Sequence, residues 1–143
     1  IRDRTHEDQV AAMEFVYAEE PGDFERRLLA MLEARFLRFI ELTSASPHAA
    51  ELFDLHGRLC GDVALASQEK SEKLIAKLVR NAVNSGEADL SAAGLSPARV
   101  ASVIFDCAHG AKGEDPSKST PADYRIRLGL VVRVLVAGLT PRT

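Results

Sequence analysis

From Leu128 to Leu139 the chain reads Leu-Gly-Leu-Val-Val-Arg-Val-Leu-Val-Ala-Gly-Leu, with Arg133 as its only charged residue. Thr120 followed by Pro121 reads as a helix N-cap with proline at the first helical position. Asp123 adds a negative charge where the helix dipole favours one, and Gly138 stands where a helix stops. An ordinary surface helix carries one apolar stripe and a polar back. This one is apolar nearly all round, so one neighbouring layer of its own fold cannot cover it. It is also too short for a bilayer, which takes about 20 apolar residues. The pattern predicts a helix covered on one side by its own domain and on the other by a second copy of the chain, with Gly129 permitting close backbone approach.

A chain of 143 residues is long enough for one domain without covalent staples, since at that size about 68% of the unfolded surface is buried. The net charge of −3 argues against direct nucleic-acid contact by these residues, because phosphate binding demands a basic surface. Cys60 and Cys107 are too few for a disulfide framework and read as core thiols of a reducing compartment, which points to the cytoplasm. No signal peptide or transmembrane run is visible, and nothing calls for a cofactor. The first residues, from Ile1, look like a helix already under way, so the chain reads as a piece of a longer protein.

Taken in order, Asp3 to Ala18 places Val10, Ala11, Met13, Val16 and Tyr17 at loose helical spacing, and Glu-Glu-Pro-Gly ends that helix at Gly22. From Phe24 to Thr43 the apolar set Phe24, Leu28, Leu32, Phe36, Phe39 and Ile40 follows the i, i+3, i+4 rule. This predicts a long core helix with Arg26, Arg27, Arg35 and Arg38 mostly on its wet side. Ser46-Pro47 opens a short helix through Leu55, and Gly57 and Gly61 bracket a break. A second long helix runs from about Gly61 to Ser85, polar between Ser67 and Lys73, and Gly86 terminates it. Ser96-Pro97 starts a helix whose stripe is Val100, Val103, Ile104, Cys107, Ala108 and Ala111, ending at Gly110 to Gly113. No segment alternates with period 2 between hairpin turns, so the fold class is all-α, a bundle of about six helices.

The order and spacing of these pieces resemble the C-terminal half of TetR/AcrR-family transcriptional regulators. The residues that carry the likeness run from Leu74 to Leu139: a helix ending Asn84-Ser-Gly-Glu-Ala-Asp-Leu90, then Gly94-Leu-Ser-Pro97 opening a helix that closes at Ala108-His-Gly-Ala-Lys112, then a last helix ending Val136-Ala-Gly-Leu139. The resemblance covers nearly the whole chain and lacks the family's N-terminal helix-turn-helix. It implies a TetR C-terminal-domain-like fold over 1–143, in which 1–18 is the connecting helix to a DNA-binding domain. It also implies a repressor-type switch: a small-molecule effector alters the spacing of two recognition helices that match DNA half-sites roughly 34–36 Å apart. DNA contact is then made only through the absent domain, and no membrane partner is implied. The homodimer interface is expected at Val100, Val103, Ile104, Cys107, Tyr124, Leu128, Val131, Val132 and Leu135, forming a four-helix bundle across a two-fold axis.

Phe36, Phe39, Ile40 and Phe53, with His56 as polar handle and Ala66 and Gln68 opposite, fit the make-up of an apolar effector pocket. The plain alternative is that they are core residues. His56 and Cys60 stand four apart, and Asp106, Cys107 and His109 cluster, yet neither group has the closed four-ligand pattern of a structural zinc site, and no metal is expected. The chain has no Gly-x-Ser-x-Gly elbow, no phosphate-cradling loop and no His-Glu-x-x-His helix, so an enzyme is not expected. Arg133, on a helix dry on both sides, must be paired or lie at an interface rim. A helical interaction module without a ligand site and a small metal-dependent helical enzyme using His56 or His109 are the competing readings.

Overall fold

The computed structural model describes residues 5–44, 48, 51, 61–113 and 120–141. Among the described residues there are five helices and no strand: α1 (Thr5–Glu19), α2 (Phe24–Ser44), α3 (Gly61–Ser85), α4 (Pro97–Gly110) and α5 (Pro121–Leu139). The short helix expected after Ser46 lies outside the described residues apart from His48 and Glu51, which are helical.

The punctuation follows the local chemistry. Ser96 and Thr120 are extended residues whose hydroxyls accept from the backbone N–H of Arg99 and Asp123, at 3.2 and 3.0 Å, and a proline follows each. Each cap satisfies one of the orphan donors of a first turn. Gly86, at φ +84°, ends α3 with the N–H of Glu87 on the Ala82 carbonyl (2.8 Å) and its own N–H on the Val83 carbonyl (3.2 Å). That pair of bonds needs the left-handed conformation that glycine adopts without cost. Gly22, at φ +118°, turns α1 into α2 where an added Cβ would sit 2.6 Å from Arg26 Cδ.

Helix α2 is the hub, packed against all four other helices. Its inward stripe of Phe24, Leu28, Met31, Leu32, Phe36 and Ile40 is almost free of solvent, and burying one such side chain fully contributes about 1.5–3 kcal/mol. Helix α5 lies chiefly on α2, and α4 chiefly on α3. The inward residues of α5 are Tyr124, Leu128, Val132 and Leu139; those of α4 are Val100, Ala101, Ile104, Phe105 and Ala108.

Three long-range ties lock this arrangement. Glu87 Oε2, just beyond α3, accepts from the Phe24 N–H at 2.7 Å and caps α2 from 63 residues away. The Asp89 N–H donates to the Leu139 carbonyl at 2.7 Å, fastening the same corner to the end of α5. Tyr17 on α1 accepts from Asn81 Nδ2 at 2.7 Å, while the Arg27 and Lys77 cations lie over its ring. Among the described residues no helix is long and apolar enough to cross a membrane.

Candidate binding site

The α3 stripe of Ile75, Leu78, Val79 and Ala82 continues toward the N-terminus through Ser71 and Ser67, which are buried in the same register. The hydroxyls face Arg35 of α2. That side chain stands four residues after Met31 and seven after Leu28, so helical geometry carries it inward with them, and it is only 6% exposed. This corrects the expectation that Arg35 lies on the wet side of its helix: register, not charge, decided its position.

The guanidinium is ringed by neutral groups. Its Nε donates to Ser71 Oγ at 3.0 Å, Nη1 to Gln9 Oε1 of α1 at 2.7 Å, and Nη2 to Ser67 Oγ at 3.4 Å. Ser71 in turn donates to the Ser67 carbonyl at 2.8 Å. The Phe36 and Phe105 rings flank it at 5.0 and 5.5 Å, and no carboxylate of the described residues bonds it. Guanidinium carries five N–H donors. The described residues take three, one each on Nε, Nη1 and Nη2, and leave one on each terminal nitrogen.

A second cation stands at the same place. Lys112, two residues past α4, is 8% exposed and continues the stripe of Ala101, Phe105 and Ala108. Its Nζ lies 5.2 Å from the Phe36 centroid and 4.4 Å from that of Phe39. Such cation–π contacts favour a charge at a ring face. Phe36 itself packs on Phe105 at 5.2 Å, and His109 stands edge-on to Phe36 and stacked on Phe105.

The electrostatics follow from this crowding of like charge. Burial pushes Arg35 down to about 10, still charged at neutral pH. Burial, then repulsion from Arg35, pushes Lys112 down to about 8. His109 is lowered by burial and then by Lys112 and Arg35, so it stands neutral at pH 7. Tyr124, donating to the Ala108 carbonyl at 3.0 Å, is raised by burial. Chemically the cluster sets two buried cations against aromatic walls, with His109 at its exposed edge.

The residues expected to line a pocket divide. Phe36 and Ile40 are buried, Phe39 and Gln68 half-buried, and Ala66 exposed. Phe53 and His56 lie outside the described residues, as does Cys60. The structure thus brings Phe36 and Phe39 together under Lys112; it draws Ser67 and Ser71 from the polar mid-section of α3 and adds Arg35, Phe105 and Lys112, which sequence reasoning missed. Their signal was present as polar residues at core register. Asp106, Cys107 and His109 form no metal-holding group, and none exists among the described residues.

The residues expected at an interface divide too. Val100, Ile104, Tyr124, Leu128 and Val132 are buried in the chain's own core, Cys107, Val131 and Leu135 are half-buried, and Val103 is exposed. The outward side of α5 instead presents Ile126, Leu130 and Val134, at 64%, 55% and 71% exposure, with Arg133 exposed beside them. Among the described residues, nothing beyond its own stretch of helix lies within 4 Å of where a Cβ on Gly129 would stand. Beside this stripe an open apolar groove of about 230 Å³ runs between α4 and α5, lined by Leu95, Val103, Ile104, Val134, Leu135 and Leu139 among others. No family model, curated protein or solved structure matches the chain.

Proposed function

We propose that this chain is the effector-sensing and dimerisation domain of a TetR-like transcriptional repressor, a binding protein and not an enzyme. A small molecule held inside the bundle is sensed there, two copies pair through the outer side of α4 and α5, and the change is relayed through α1 to a helix-turn-helix outside these residues. The observation that carries the reading is the outward stripe of α5. Ile126, Leu130 and Val134 stand four apart, hence on one helical face, and more than half of each side chain lies bare to water. Beside them the apolar groove extends the surface to Val103 and Leu95. A contiguous exposed apolar surface marks an interaction site, and isologous two-fold pairing is the commonest way to cover it.

The buried cluster at Arg35 supports the sensing half. A core that needs only stability has no use for a guanidinium bonded to neutral groups, whereas a ligand site needs a few polar groups converging among apolar walls. His109 stands against two phenyl rings and two cations, a setting suited to binding more than to proton transfer.

Light scattering on the purified chain tests the pairing. The expected mass is that of two chains, and Val134→Glu or Leu130→Glu gives a monomer with unchanged helical circular dichroism. A monomeric wild type at high concentration overturns the reading.

A further inference from the structure

We infer that Arg35 is the anion-recognising group of this domain, and that its ligand is an organic anion, an acidic head on an apolar body. The head's oxygens take the two guanidinium N–H groups that the described residues leave uncommitted. The inference rests on the reading of the bundle interior as an effector site and names the chemical class that site accepts.

Four observations converge on it. The first is the missing counter-charge. Arg35 is 94% buried, taking its 6% exposure, and its protein partners are two hydroxyls and an amide oxygen. Removing a cation from water is costly, and the usual compensation is a carboxylate. Among the described residues none is supplied to Arg35, so an anion arriving from outside gains a charge that has been desolvated in advance.

The second is the shape of what remains free. Nε, Nη1 and Nη2 each hold one protein acceptor. The guanidinium is planar, so the remaining N–H of Nη1 and that of Nη2 share one plane, and such coplanar donors suit the oxygens of a carboxylate or phosphate. The third is the field. Lys112 brings a second cation to the same Phe36 ring as Arg35. The fourth is the lining. Phe36, Phe39 and Phe105 give the ligand's body an apolar surface beside the charge.

Thermal unfolding of the full chain at pH 7 and constant ionic strength tests this with three probes: octanoate, octyl phosphate and octanol. Octanoate or octyl phosphate is expected to raise Tm by at least about 3 °C at saturation, with octanol leaving it unchanged. Whichever anion gives the larger rise assigns the head group. Arg35→Met abolishes the rise, and Arg35→Lys, which keeps the charge and loses the fork, cuts it to less than half. Arg35→Met without probe melts no lower than wild type, because an apolar side chain of similar length replaces an uncompensated buried charge.

Absence of a rise with both anions overturns the inference, as does a rise retained by Arg35→Met. An equal rise with octanol overturns it while leaving a ligand-binding domain standing. Loss of about 10 °C or more in both Arg35→Met and Arg35→Lys also overturns it, by making the guanidinium a structural anchor. The oligomeric state is measured separately, so a failed dimer and a failed anion site are told apart.

Discussion

The two halves of α2 meet their neighbours in opposite ways. From Phe24 to Leu32 the helix buries an unbroken apolar stripe, and its stability follows from area removed from water and close packing. From Arg35 to Ile40 the same face carries a guanidinium among serines, an amide and aromatic rings. The first half is what a core looks like when only folding shapes it. In the second, free energy is given up to hold a charge where water is scarce, and such local conflicts concentrate where proteins bind or react.

Leu28→Ala strikes the apolar half and carries the largest expected loss, about 2–5 kcal/mol by denaturant unfolding, because truncating a side chain with no exposure leaves a cavity in the core. Next comes pH, which touches only the polar half. Lys112 titrates near 8 in the folded chain, below its ordinary value, so between pH 8 and 10.5 the unfolded chain binds more protons and stability rises with pH. Arg35 and His109 are among the groups that face it. Relative to Lys112→Met, the wild type should gain about 1–3 kcal/mol across that window. A difference between the two that stays flat with pH contradicts the buried cation.

Ser71→Ala takes the acceptor from Arg35 Nε and should cost about 1–3 kcal/mol, since a buried charged donor is left unmet. In an Arg35→Met background the same change should cost close to nothing, and that double-mutant cycle measures how much of the polar half is one unit. Ser96→Ala is the smallest, about 1 kcal/mol, confined to the first turn of α4 and alike in either background.

Much of the fold was legible because it rests on local rules. Ser96-Pro97, Thr120-Pro121 and Gly86 bound helices where capping chemistry places them, and the apolar stripe of α2 needed only the helical period. The candidate site was less legible because a charge is ordinarily a marker of the wet face. Arg35 broke that association while obeying the register of Leu28 and Met31. Lys112 lies past the end of its helix, where a periodic reading stops, and Phe105 was left off a stripe drawn through Val103 and Cys107. The last helix was read as dry on both faces; its inner residues are now assigned to α2 and α4, and Ile126, Leu130 and Val134 to the outside. The cap that Glu87 lends to Phe24 spans 63 residues and has no local signature at all.

That same corner reaches further than capping. Within three residues, Glu87 grips the beginning of α2 and Asp89 grips the last turn of α5. Helix ends ordinarily fray first, each on its own. Here the last turn of α5 and the first turn of α2 are tied to one three-residue corner, so the Phe24 and Asp89 amides should exchange with solvent more slowly than those of an untied helix end.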